Sequence, residues 1–134
     1  MRYMWTKELA TGYRIVDFQH KQLIQAVNNL LDACADGHGY EHIDDMFKFL
    51  LDYTEQHFND EEALQYKFKY PDYRNHKKLH VYFKGTVCKV REELKTEGPT
   101  LAMVGRINSV IGSWLISHFT IEDKKVVAHI NACS

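Results

Sequence analysis

A chain of 134 residues with 45% apolar and 26% charged residues has the make-up of one soluble globular domain with a single hydrophobic core. Its formal net charge of −1 gives nucleic acid and anionic membrane surfaces no electrostatic reason to bind. No window approaches the roughly 20 consecutive apolar residues of a membrane span, and the opening "MRYMWTKELATGYRIVD" lacks the apolar stretch of a secretion signal. Cys34, Cys88 and Cys133 are odd in number and widely spaced, which argues against a disulfide framework and for a reducing, cytoplasmic setting. With two prolines and no low-complexity stretch, residues 1–134 read as one domain.

The first sixteen residues carry Trp5, Tyr13 and Ile15, enough apolar weight to pack as an ordered arm. From Phe18 the apolar positions Leu23, Ile24, Val27, Leu30, Leu31 and Cys34 recur at three and four, the period of a helix. Asp17 is placed to cap its start, and "DGHG" ends it with two glycines. A second helix takes Ile43, Met46, Phe47, Leu50, Leu51, Thr54, Phe58 and Leu64, and breaks at Pro71. A third takes Tyr73, Leu79, Phe83, Val87, Val90 and Leu94, closed by "EGPT". The fourth takes Leu101, Val104, Ile107, Ile111, Trp114 and Leu115, and "IEDKKVVAHI" adds a short C-terminal helix. No stretch alternates as a strand pair would. Four amphipathic helices with short connections predict an all-α, antiparallel up-down-up-down bundle.

Eight histidines are the compositional oddity, and their phase decides what they mean. His20 precedes Leu23, Ile24 and Val27 by three, four and seven. His57 follows Thr54 by three and precedes Glu61 by four, in step with Phe47, Leu50 and Leu64. His76 and His80 are four apart and in step with Tyr73 and Phe83. His118 follows Trp114 by four and Leu115 by three. All four inward faces therefore carry histidine. One histidine on an apolar face is most often a hydrogen-bonded core residue, but five with a glutamate are another matter, because each buried polar group without a partner costs on the order of a few kcal/mol. A metal centre removes that penalty. His38, His42 and His129 lie near helix ends or in loops and are expected to meet solvent.

The spacing i, i+4 puts His57 with Glu61, and His76 with His80, on one face each. Asp123 lies five after His118, about 140° round an ideal helix, so a shared centre requires the helix to end or distort around residues 119–122. Imidazole and carboxylate without thiolate suit iron, and also zinc or manganese. One tetrahedral zinc would leave buried groups over, so two six-coordinate ions fit better. Five imidazoles, two bridging carboxylates and one solvent-derived oxygen bridge fill all but one of the roughly twelve positions that two such ions offer. One vacancy among Leu, Phe and Trp suits a small ligand.

At "DFQHK" (17–21), "HFNDEE" (57–62), "HKKLH" (76–80) and "WLISHFTIED" (114–123) the chain resembles the hemerythrin family in its single-domain bacterial form. The resemblance spans nearly the whole sequence. It implies reversible dioxygen binding at a non-heme di-iron centre with an oxo or hydroxo bridge, and no enzymatic turnover. By the family pattern His76, His80 and His118 hold one iron, His20 and His57 the other, and Glu61 and Asp123 bridge, with the open position on the His20/His57 iron. The pattern also makes Leu23, Phe58, Trp114, Leu115 and Ile121 the apolar lining of the ligand pocket. Gln19 and Glu62 are candidates to orient ligand histidines. The chain departs from the family at Gln65, Phe119 and Ile121, where methionine, isoleucine and leucine are usual; none removes a ligand.

Neutral imidazoles make the site less anionic than the carboxylate-rich set of ferritin-like oxidases. Less negative charge stabilises high-valent iron less, which favours reversible binding over substrate oxidation. The alternatives are an enzyme acting on nitric oxide or peroxide at the same centre, and a structural bundle with zinc or nothing in its core. A sensing role would need a partner chain or a parent protein from which this domain was cut, and the sequence identifies no signalling or electron-transfer partner.

Overall fold

The computed structural model describes residues 3–133. An arm with a 3-10 turn at Lys7–Leu9 leads into α1 (Arg14–Ala35), α2 (Tyr40–Lys67) and α3 (Tyr73–Glu97). A compound fourth helix follows. It runs through α4 (Leu101–Ile107), a π segment (Asn108–Gly112), α5 (Ser113–Ser117), a second π segment (His118–Asp123) and the short C-terminal α6 (Lys124–Ala132). Among the described residues there is no strand. None of the described helices is long and apolar enough to cross a membrane.

The buried stripe of α3 is His76, His80, Phe83, Val87, Val90 and Leu94, strict steps of three and four that keep one face turned inward. The stripe of α2 runs through Ile43, Phe47, Leu50, Thr54, His57, Glu61 and Gln65 on the same rule. Helix α1 packs against α2, α2 against α3, and the fourth helix closes the ring against α1 and α3. That is the order of an up-down-up-down bundle with short connections. Gly37 and Gly98, each at φ 73, supply the left-handed residue at the ends of α1 and α3, where the Gly98 N–H returns to the Leu94 carbonyl at 2.9 Å. Lys69 takes the same region at φ 53, just before Pro71 prevents the helix from continuing.

Asp17 does not cap α1. The helix begins at Arg14, with Tyr13 at the cap position and no side-chain cap, so Asp17 lies within the first turn. It instead accepts from the Thr11 N–H (2.8 Å), the Thr11 hydroxyl (2.7 Å) and the Gly12 N–H (3.1 Å). The carboxylate thus clamps the arm onto the helix start. Farther up the arm, Asn28 pairs with the Tyr3 backbone in both directions, at 2.8 and 2.7 Å. The Tyr3 hydroxyl donates to Asn108 Oδ1 at 2.6 Å. The arm is accordingly ordered. His129 also departs from expectation: it is half-buried, and its Nε2 lies 2.7 Å from the Phe68 carbonyl, tying α6 to the turn after α2. His38 and His42 are exposed, as their loop and helix-end positions implied. Cys34, Cys88 and Cys133 are free thiols.

Candidate metal centre

At one end of the bundle the inward stripes turn polar. Helix α1 contributes His20, α2 contributes His57 and Glu61, α3 contributes His76 and His80, and the second π segment contributes His118 and Asp123. None of the seven is more than 3% exposed. The pairs on α2 and α3 share a face through the i, i+4 relation. His118 and Asp123 need a different solution, because five residues on an α-helix point apart. The chain winds His118–Asp123 as π-helix, whose i, i+5 spacing returns the sixth residue beneath the first. The Thr120 hydroxyl donates to the Ile116 carbonyl at 2.9 Å, a local bond that supports the widened turn.

The wide turn also corrects one expectation. Ile121 does not line the site; it is 51% exposed. Bringing Asp123 under His118 leaves the residue two positions earlier on the outer side of the turn, and Phe119 goes inside in its place. Leu23, Phe58 and Leu115 are buried and Trp114 is half-buried.

The carboxylate oxygens divide between two histidine groups. Glu61 Oε1 lies 2.7 Å from His76 Nε2 and 3.4 Å from His80 Nε2, while its Oε2 lies 3.6 Å from His57 Nε2. Asp123 Oδ1 lies 3.1 Å from His76 Nε2 and 3.0 Å from His118 Nε2, while its Oδ2 lies 2.8 Å from His20 Nε2. Two overlapping clusters result. One is Glu61, His76, His80, His118 and Asp123; the other is His20, His57, Glu61 and Asp123. Their ligand atoms lie within 4.8 Å of one another in each cluster.

His80 Nε2 and His118 Nε2 meet at 3.1 Å, but most of the converging atoms have no such bond. His20 Nε2, His57 Nε2, His76 Nε2, Glu61 Oε2 and both Asp123 oxygens are buried without a hydrogen-bond partner. Lone pairs that converge on shared points and satisfy nothing else are what a pair of cations would resolve. The donor set of imidazole and carboxylate suits iron.

The far sides of two rings are fixed. Gln19 Oε1 lies 2.6 Å from His57 Nδ1, and the amide is oriented by its Nε2 donating to Asp60 Oδ2 at 2.8 Å. A carbonyl oxygen can only accept, so His57 carries its proton on Nδ1 and turns a free Nε2 lone pair inward. Glu62 Oε2, 2.8 Å from His80 Nδ1, does the same for His80. Aromatic faces hold three rings by stacking: Phe119 on His20 (centroids 3.6 Å, 12°), Phe58 on His80 (3.7 Å, 3°) and Trp114 on His118 (4.5 Å, 11°). The stack of Phe119 on His20 and a Gln65 bond to Glu61 (Nε2 to Oε1, 3.3 Å) were not read from the sequence. The signal for Gln65 was present in its i, i+4 spacing from Glu61.

Burial pushes the His57 imidazole down to about 4, so it is neutral at pH 7. Burial also pushes His76 down, but the Asp123 and Glu61 carboxylates beside it override this and raise it to about 10 in the metal-free site. Burial and the nearby Asp123 charge push Glu61 up, yet His76 and His80 hold it below the usual carboxylate range. Asp123 is likewise pushed up by burial and held well down by His118, His20 and His76.

Residues 11–130 match the family model described as "Hemerythrin HHE cation binding domain". The chain is 32% identical over 122 residues to bacteriohemerythrin of Pseudomonas aeruginosa, covering 90% of this chain and 76% of that one. It is 30% identical over 121 residues to bacteriohemerythrin of Methylococcus capsulatus, covering 90% of each. Against myohemerythrin of Sipunculus nudus it is 29% identical over 123 residues, covering 92% of this chain and 89% of the other. The fold and site define a helical-bundle protein built to hold cations between its helices. The chain belongs to the hemerythrin family.

Proposed function

We propose that residues 1–134 act as one domain that binds dioxygen reversibly at a non-heme di-iron centre, without catalytic turnover. The division of the Glu61 and Asp123 oxygens between two histidine groups carries this reading, because it calls for two cations that share both carboxylates. His76, His80 and His118 would hold one iron, and His20 and His57 the other, with a solvent-derived oxo or hydroxo bridge beside the two carboxylates. A ferrous pair held there would supply the reversible two-electron chemistry that dioxygen binding requires.

The rest is the work of this chain. Three imidazoles against two leave the His20/His57 side as the one able to take a small ligand. Gln19 and Glu62 hold the His57 and His80 rings in the tautomer that presents Nε2 inward. Burial keeps His57 neutral and ready to coordinate. Leu23, Phe58, Trp114 and Leu115 limit water and proton access, which favours release of dioxygen over loss of a reduced product. Free thiols fit a reducing, cytoplasmic setting.

The test is reconstitution of the metal-free protein with ferrous iron, followed by cycles of air and argon in a spectrometer. A visible charge-transfer absorption that appears in air and disappears under argon, cycle after cycle, supports reversible binding. A single irreversible oxidation with turnover of nitric oxide or peroxide would favour an enzyme. One zinc and no iron per chain would sink both.

A further inference from the structure

We propose that Gln65 is a positioning residue that makes the two halves of the centre unequal, by drawing charge from the one Glu61 oxygen that faces His76 and His80. The inference rests on the two-ion reading above and deepens it. Gln65 is fully buried, a setting in which an amide is unfavourable without partners. It lies one helical turn beyond Glu61 on α2, and its Nε2 donates to Glu61 Oε1 at 3.3 Å. Glu61 Oε1 is also the oxygen 2.7 Å from His76 Nε2. Glu61 Oε2, on the His57 side, has no hydrogen-bond donor, and Gln65 Oε1 has no partner of its own. The amide is therefore anchored by one carboxylate oxygen and by nothing else on its polar end.

An N–H donated to a coordinating oxygen withdraws electron density from it and makes it a poorer donor to a cation. Poorer donation stabilises the oxidised ion less. The ion on the His76, His80 and His118 side is then easier to reduce than it would be beside an apolar residue, and the pair is biased toward the ferrous state. An apolar side chain of matched size would fill the same space without drawing charge, so packing and electronic roles can be separated.

The experiment uses the iron-loaded full chain as wild type, Gln65→Met and Gln65→Leu. Iron content, the potentials of the two one-electron steps by spectroelectrochemistry, and the thermal midpoint of the metal-free form are measured for each. Both variants are expected to keep two irons and to shift one step by about tenfold in its reduction equilibrium, about 59 mV toward harder reduction, with a smaller shift in the other. Two irons with both potentials unchanged, or moved equally, would overturn the proposal. Loss of an iron from both variants would also overturn it, making Gln65 a requirement for assembly instead of a tuning group. A wild type that holds fewer than two irons would remove the two-ion reading itself, and the inference with it.

Discussion

Where α1 gives way to α2, Leu30, Ile43, Phe47, Val90, Leu94 and Ile107 interlock with no exposed surface; at the opposite end the same stripes carry five imidazoles and two carboxylates, equally buried. The apolar end gains from every group it buries. The polar end is unfavourable until its lone pairs are met. On the outside, the apolar end is clasped by two bidentate pairs. Arg91 reaches Asp44 at 2.6 and 2.9 Å, and Arg106 reaches Glu93 at 3.1 and 2.7 Å. Such partly exposed pairs contribute at most about 1 kcal/mol each. One half of the bundle holds the helices together, and the other half uses that stability to keep unsatisfied donors in place for metal.

Breaking the polar end should have the largest effect. Glu61→Ala removes one of the two carboxylates common to both clusters, so iron content should fall below two per chain and magnetic coupling between the irons should vanish. Two coupled irons in that variant would refute the bridging assignment. At the apolar end, Phe47→Ala should cost about 3–5 kcal/mol of unfolding free energy, read from urea titration, while the folded fraction still takes two irons. If that variant lost iron without losing stability, the division between the halves would be wrong.

In the metal-free protein the polar end should also give the bundle a stability optimum near neutral pH. His57 is held down to about 4 when folded, so the unfolded chain binds the extra proton between there and about 6.5. Stability should fall as pH drops through that window, by roughly 3 kcal/mol at most. His76 is raised to about 10, so its contribution is complete below about 6.5 and is lost as pH climbs toward 10. Denaturant midpoints from pH 4 to 10 should trace a dome; a flat profile would count against both assignments.

Smaller effects sharpen the contrast. Gln19→Leu frees His57 Nδ1 and should weaken metal binding roughly 10–100-fold in competition with a chelator, with little change in the metal-free thermal midpoint. Thr100 caps α4 at the apolar end by accepting from the Met103 N–H at 3.1 Å. Thr100→Ala should lower stability by about 1 kcal/mol and leave iron affinity as it was.

Much of this is legible in the order of residues. A period of three and four is a local property, and it placed His20, His57, Glu61, His76, His80 and His118 on inward faces because each is in step with apolar neighbours on its own helix. The position of Gln19 and Glu62 beside the candidate ligand histidines points to an orienting role, but the 2.6 and 2.8 Å contacts join different helices, so only packing creates them. The clamp made by Asp17 is not legible in the same way, because its donors lie in the arm, and an arm has no period to read.

The residue order by itself carries the four stripes and the polar end of the core, since both are written in spacing along single helices. Its motifs carry the resemblance to the family that the match over residues 11–130 then shows. Tertiary structure decided the rest. It wound His118–Asp123 as π-helix, which turned Ile121 out to solvent and Phe119 in against His20. It also sent one oxygen of each carboxylate to either side of the site. Periodicity fixes which face a side chain takes, whereas the direction of a single lone pair depends on the helix packed opposite.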